Sequence, residues 1–387
     1  MSSQPTASGY FRTDYRQDIG LVRTRLQRTS LALSVVAALV WPFYASAYHL
    51  DLACQVSLAS IGALSLMLLT GYCGQISLGH SGLLAAGAYT VGISFREFNA
   101  PFWVTLPAAA VVGGMLGIIF GLPSLRLRGL YLAVSTLALH FVVVYLGQEY
   151  ETKRGFSTGI IIDPPQIGGW QITDGRVWYF ILLGAAALTL LICVNLMRSR
   201  TGRAWRAIQT HETVAEALGI NIARYKLLAF VISSSITAVA GALFAYYRGF
   251  VSVEAFSIFL SIQYAAMVII GGMGSLLGAL LGALFVTLFP YLIEAALLSL
   301  PGAQRYAGEV FAVNYAAFGL VMILFLVFEP LGLVGIWRRI QSYFLLWPFK
   351  HRPIAGSRQS ATRCWPSMAW KWCTSAPARP FRASRWP

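Results

Sequence analysis

Charge is what this sequence lacks. Of 387 residues, 14 are Asp or Glu and 29 are Lys or Arg. Charged side chains make up 11% of the chain, under half of the roughly 25% in an ordinary soluble domain, while 57% are hydrophobic. The shortage is concentrated: residues 52–95, 98–125, 129–148, 177–197, 227–247, 255–293 and 310–328 contain no Asp, Glu, Lys or Arg. So many long uncharged runs exclude a soluble globular protein and require a bilayer. Cysteine is also sparse. Cys54, Cys73, Cys193, Cys364 and Cys373 form no C-x-x-C pair and read as small apolar residues, so no metal or disulfide framework follows from them. Inside the runs there is no H-E-x-x-H and no cluster of His, Asp and Glu, which argues against a membrane enzyme.

A helix needs about 20 apolar residues to cross the hydrocarbon core. Dividing the runs at their Gly-rich interruptions predicts an all-α polytopic membrane protein with about ten transmembrane helices, in a range of 8 to 10. The spans are 31–48, 50–70, 82–95, 102–122, 130–147, 177–197, 227–247, 256–273, 276–298 and 311–328. The third is the weakest. Its 14 residues end at Arg96 and Glu97, so a short, buried or re-entrant helix is expected there.

Lys and Arg set the orientation, because positive loops are retained in the cytoplasm. With both termini cytoplasmic, residues 1–30, 123–129, 198–226 and those after 329 hold 5, 2, 6 and 10 basic residues, 23 of the 29. The net charge of +15 is therefore a topology signal, and no nucleic-acid partner follows from it. Residues 12–28 are a mixed-charge amphipathic stretch without a small-residue cleavage site, so the first span is expected to be a retained helix. The organisation read is an N-terminal cytoplasmic segment at 1–30, a membrane domain at 31–340 and a basic tail at 341–387. Residues 354–387 hold four Trp, two Cys, six basic residues and no acid. That composition suits a GC-rich coding sequence read out of frame; the alternative is a disordered basic tail on anionic membrane lipid.

Two loops are long enough to act. The loop 148–176, predicted outside, carries Glu149, Glu151, Lys153, Arg154, Asp163 and Asp174 and the turn signals Asp163-Pro164-Pro165 and Gly168-Gly169, which suit a short cap. The cytoplasmic loop 198–226 reads as two short helices, 202–209 and 211–218. Glu212 lies in the first turn of the second, Val214, Ala217 and Leu218 share one face, and Gly219 takes the C′ position. A compact basic loop of that kind is a docking surface.

Between the second and third spans, Gly74 to Ser81 reads G-x-x-x-x-G-H-S, one residue from a phosphate-binding loop. His80 stands where the phosphate-reaching Lys is needed, and apolar helices flank the stretch, so nucleotide binding is rejected. Close packing is the reading instead: Gly71, Gly74, Gly79, Gly82 and Gly87 let backbones approach, while Gln75, Ser77 and His80 are polar groups that a lipid-facing helix does not tolerate. A second cluster, Gly271, Gly272, Gly274, Gly278 and Gly282, follows about 200 residues later, as in duplicated transporters whose interrupted helices flank a pathway. His140 lies well inside a span with no acid or base to partner it in sequence; a pathway role and a hydrogen bond to a neighbouring helix both stand.

Three stretches then combine. The first is Gly71-Tyr72-Cys73-Gly74-Gln75-Ile76-Ser77-Leu78-Gly79-His80 leading to Gly87-Ala88-Tyr89. The second is Leu125-Arg126-Leu127-Arg128-Gly129 with Tyr131-Leu132-Ala133 and Thr136-Leu137. The third joins Gly202-Arg203-Ala204, Arg206-Ala207-Ile208, Ala217-Leu218-Gly219-Ile220 and Tyr225-Lys226 to Ala229-Phe230 and the turn at 271–275. From about residue 50 to 340 the chain thus resembles the membrane permease subunits of ABC importers for branched-chain amino acids, the LivM type.

That resemblance implies a permease of the bacterial inner membrane paired with a second, homologous permease, two cytoplasmic ATPase subunits and a periplasmic substrate-binding protein. ATP and Mg would belong to the ATPase subunits, with no cofactor and no catalytic residue in this chain. It further implies that 203–219 is the coupling element seated on an ATPase, with Arg203, Arg206, Glu212, Val214, Leu218 and Gly219 as its residues. Thr213-Val214-Ala215 stands where other ABC importers have Glu-Ala-Ala. Gly71, Gly74, Gln75, Ser77, Gly79, His80, His140, Gly271, Gly272 and Gly274 are the pathway or packing candidates. Similar permeases serve urea, short amides or aromatic acids, so these remain alternative substrates. An ion-coupled secondary transporter should show buried carboxylates near mid-span, and a channel should show charge rings or a carbonyl filter.

Overall fold

The computed structural model describes residues 25–125, 130–156, 159–167, 170–298, 310–329 and 332–346. Residues up to 339 belong to one compact unit; of the second, 340–387, residues 340–346 are described. The N-terminal segment 1–24, Arg126 and Arg128, and the tail beyond 346 lie outside the described residues. Removing the tail after Pro353 is expected to leave membrane insertion and the thermal unfolding midpoint unchanged, because its sequence has no pattern able to bury a face. Loss of inserted protein in the truncated chain would overturn this.

A helix stands at each of the ten positions read from the uncharged runs. These are α1 (Arg25–Tyr44), α2 (Ala47–Leu66, extended by a π-helical turn Met67–Tyr72), α3 (His80–Phe98), α4 (Phe102–Ser124), α5 (Leu130–Arg154), α6 (Gly175–Arg198), α9 (Ile222–Arg248), α10 (Ile258–Gly271), α11 (Leu276–Leu298) and α12 (Val310–Phe328). Between α6 and α9 lie α7 (Arg200–Thr210) and α8 (Glu212–Ala217), and α13 (Gly332–Leu346) follows α12. By length and composition, six segments among the described residues suffice to cross a membrane: 47–72, 102–123, 131–154, 175–198, 222–248 and 276–295.

Three expectations change. The chain is not purely helical: β1 (Ile160–Ile161) pairs antiparallel with β4 (Phe250–Val251), and β2 (Gln166–Ile167) with β3 (Trp170–Gln171). The loop read as 148–176 begins in helix, since α5 continues to Arg154. The third span is also longer than its uncharged run. α3 has 19 residues, because Arg96 and Glu97 sit in its last exposed turns, where Glu97 pairs with Arg154 at 2.5 Å and accepts from the Tyr150 hydroxyl at 2.8 Å.

The core is built on α9, which packs against α4, α3 and α2; α2 also packs on α6 and α11. Small residues make this possible, since helices in lipid associate through close packing and not through apolar burial. A Cβ on Gly87 of α3 would fall on the Ala238 carbonyl of α9, and one on Gly241 of α9 would fall on the Leu84 carbonyl of α3. Along α4, Gly113, Gly117 and Gly121 recur every fourth residue and face Ser234, Val231 and Phe230 of α9. The opposite face of α4 exposes Trp103, Val111, Met115, Ile118 and Leu122, an apolar surface suited to acyl chains.

Candidate functional site

The site grows from a failure of α2 to continue. After the π turn at Met67–Tyr72, Gly74 adopts φ +73°, a left-handed conformation open to glycine at little cost, and the chain runs irregularly until α3 begins at His80. The Gln75 amide N–H turns back to the Leu69 carbonyl at 3.1 Å, and the Thr70 hydroxyl donates to the Gln75 carbonyl at 3.0 Å. Across the chain the Leu78 N–H donates to Thr136 Oγ1 at 3.0 Å, while Gly79 lies against the Thr136 carbonyl, where a side chain would not fit.

The second glycine cluster forms a matching break between α10 and α11. Gly271 packs on the Gly278 carbonyl, and Gly272 lies beside Gly332 at the start of α13. The two breaks touch: a Cβ placed on Gly71 would lie 3.0 Å from the Gly274 nitrogen. Clusters about 200 residues apart in sequence thus become one backbone contact.

Above the first break runs a buried polar chain. His80, fully buried, donates from Nε2 to the Gly62 carbonyl at 3.0 Å. That carbonyl can only accept, which fixes the tautomer and leaves Nδ1 an acceptor. Ser65 Oγ lies 2.8 Å from Thr237 Oγ1 and 3.3 Å from His80 Nε2. The next residue, Ser81, meets His140 Nδ1 at 2.9 Å and Ser261 Oγ at 2.7 Å. His140 therefore does not stand alone: it meets Ser81, the residue next to His80, a contact invisible in a sequence where the two lie 59 residues apart. Among the described residues, His80 Nδ1, both amide atoms of Gln75 and the Ser77 hydroxyl are buried without a hydrogen-bond partner. Unpaired buried polar groups are costly, and these three lie together beside one helix break.

The loop between α6 and α9 lies against this break. α7 is held by Trp205, fully buried, whose Nε1 donates to the Tyr225 carbonyl at 2.8 Å. One turn further along, the Gln209 amide Nε2 donates to the Gly71 carbonyl at 2.6 Å, and Arg206 lies over the Tyr72 ring at 5.9 Å. Arg203 donates to the Arg198 carbonyl at 3.3 Å, and Glu212 pairs with Lys226 at 2.5 Å. Arg206 and Glu212 are thus engaged within the chain. The large apolar side chains that project from this loop are Val214, 55% exposed, and Leu218, 75% exposed. α8 ends in a Schellman motif: Gly219 N–H bonds the Glu216 carbonyl at 2.9 Å, Ile220 N–H bonds the Ala215 carbonyl at 3.1 Å, and Gly219 sits at φ +82°. Neither Trp205 nor Gln209 is singled out by the sequence. A lone Trp three residues before Ile208 in a basic loop is the signal for the anchor, and nothing in sequence signals Gln209.

The profile of the family described as "Branched-chain amino acid transport system / permease component" matches residues 48–327, from α2 through α12. The chain belongs to this family. Among its relatives are the high-affinity branched-chain amino acid transport system permease proteins LivM of Salmonella typhimurium and Escherichia coli. Each is 31% identical over 336 residues, covering 81% of this chain and 76% of the relative. A more distant relative is the autoinducer 2 import system permease protein LsrC of an Enterobacter species, 28% identical over 57% of this chain and 61% of its own. No solved structure matches. As a member of this permease family the chain is a permease component of a transport system and an integral multi-pass membrane protein. Both breaks, the polar chain and the α7–α8 loop lie inside the matched region.

Proposed function

We propose that this permease is a membrane-spanning subunit of an ABC importer that carries branched-chain amino acids from periplasm to cytoplasm on ATP hydrolysed by separate subunits. The observation that carries the reading is α8. A braced, glycine-closed turn of helix holds Val214 and Leu218 out from the fold, and an aliphatic pair fixed in that way is suited to the groove of an ATPase subunit. In this reading ten spans place both termini in the cytoplasm and the 148–176 segment outside, within the bacterial inner membrane. A second related permease, two ATPase subunits binding ATP and Mg, and a periplasmic binding protein complete the assembly. ATP binding biases the helices between two packings, with the paired breaks as the bistable element. The unpaired groups of Gln75, Ser77 and His80, backed by Ser81 and His140, supply polar positions beside the moving break.

The isolated chain is expected to bind no ATP, since His80 stands where a phosphate-binding loop needs Lys. Titration with a fluorescent nucleotide checks this, and saturable binding would overturn it. With the ATPase subunits and binding protein added, hydrolysis should rise with substrate. The likeness to an autoinducer 2 import permease favours a second reading in which the fold serves another small solute. Calorimetry on the cognate binding protein separates them: leucine, isoleucine or valine should bind, and a protein that ignores all three would remove the amino-acid assignment while leaving the importer intact.

A further inference from the structure

We propose that Gln209 is the positioning residue through which the α7–α8 loop grips the first helix break and sets its conformation. In a continuing α-helix the Gly71 carbonyl would accept from the Gln75 N–H. Here that N–H has turned back to Leu69, so the break frees the Gly71 carbonyl. Gln209 Nε2 supplies the missing donor at 2.6 Å from the last turn of α7. Its stem packs on Gly74, where a Cβ would lie 3.6 Å from Gln209 Cγ, and Arg206 one turn earlier covers Tyr72. α7 thus holds the break at Gly71, Tyr72 and Gly74.

The grip has a rigid base and an onward path. Trp205 anchors α7 to the foot of α9 through the Tyr225 carbonyl. Gly71 meets Gly274, so a displacement of the first break reaches the second by direct backbone contact. When the loop shifts, the Gly71 carbonyl either keeps its Gln209 donor or must find another, and the irregular stretch 73–79 changes with it. Gln209 itself is exposed, so its hydrogen bond competes with water and is easily exchanged, as a switching contact requires.

The proposal rests on reading 198–226 as the coupling loop, and its test keeps the two apart. The complete importer, reconstituted in lipid nanodiscs with its ATPase subunits and binding protein, is compared across three variants. Gln209→Met removes the donor and keeps the length. It should retain bound ATPase, basal hydrolysis and thermal midpoint, while stimulation of hydrolysis by loaded binding protein falls several-fold towards none. Gln209→Arg returns a donor and should recover most of the stimulation. Undiminished stimulation in Gln209→Met, loss of the ATPase from it, or failure of Gln209→Arg to recover would each overturn the role. Leu218→Asp tests the loop reading independently. It should shed the ATPase; normal association and uptake in that variant would overturn the coupling-loop assignment whatever Gln209 does.

Discussion

Replacing Gly241 by Val is expected to abolish the folded protein. At this crossing of α3 and α9 the backbones are in contact on both sides, with Gly241 over the Leu84 carbonyl and Gly87 over the Ala238 carbonyl. The obstacle to a side chain is therefore main chain, which has no rotamer into which to retreat. A carbon normally approaches a carbonyl oxygen no closer than about 3.3 Å, so even one Cβ forces the helices apart. Overpacking with a methylene costs roughly 1–3 kcal/mol where side chains can shift; here the cost exceeds that range, against a total of about 5–15 kcal/mol for a folded domain. The α9 contacts with α4 and α2 would be lost with the crossing. The check is the yield of monodisperse, detergent-extracted protein, with Gly184→Val as the control: nothing lies within 4 Å of a Cβ at Gly184 on α6, so that variant should fold. Equal yields of the two would refute the account of the crossing.

Gly219→Val should leave folding intact and remove transport. Space does not forbid the change, since nothing lies within 4 Å of a Cβ there; the backbone does. A left-handed conformation costs a residue with a Cβ about 1–2 kcal/mol, and a β-branched one is a genuine outlier there. α8 has six residues, too few to persist without its cap, so the strain is relieved by fraying the helix that presents Val214 and Leu218. The expected phenotype is a membrane-inserted permease of normal thermal midpoint that loses ATPase association or substrate-stimulated hydrolysis. Gly219→Asn, which tolerates the left-handed region, should fall between Val and wild type. Wild-type uptake by Gly219→Val would remove 203–219 as the coupling element and direct attention to the 123–129 turn with Arg126 and Arg128.

These effects differ in how far they could be read from sequence. The α8 cap was legible because a Schellman motif is local: an apolar face, then Gly219, within eight residues. The ten helix positions were legible because a bilayer punishes charge and leaves uncharged runs, though among the described residues six segments are long and apolar enough to cross it. The same rule understates α3, because Arg96 and Glu97 end the uncharged run before they end the helix. The strand pair was hidden because Ile160 and Val251 are joined only through folding. So too were the Gly71–Gly274 contact and the Ser81–His140–Ser261 cluster, in which no residue type announces its partner. Even the glycines Gly113, Gly117 and Gly121, regular as they are, do not say which helix they admit.

The ends of α6 and α9 place the hydrophobic slab. Arg176 and Arg198 are 22 residues apart, as are Lys226 and Arg248, and at 1.5 Å per residue each pair spans about 33 Å. The hydrocarbon layer is about 30 Å thick, so both helices match it with little tilt or mismatch. Arg198 and Lys226 then define one boundary, and the loop strung between them begins at headgroup level without a spacer. Gly71 is hydrogen-bonded to that loop, and the 26-residue segment ending at Tyr72 is itself about 39 Å long, so the helix breaks lie at the edge of the slab. Ion-coupled carriers interrupt their helices near the midplane, where the ion must be coordinated. In α2, α6 and α9 the full apolar thickness stays helical, and the break after α2 sits at its edge beside the α7–α8 loop.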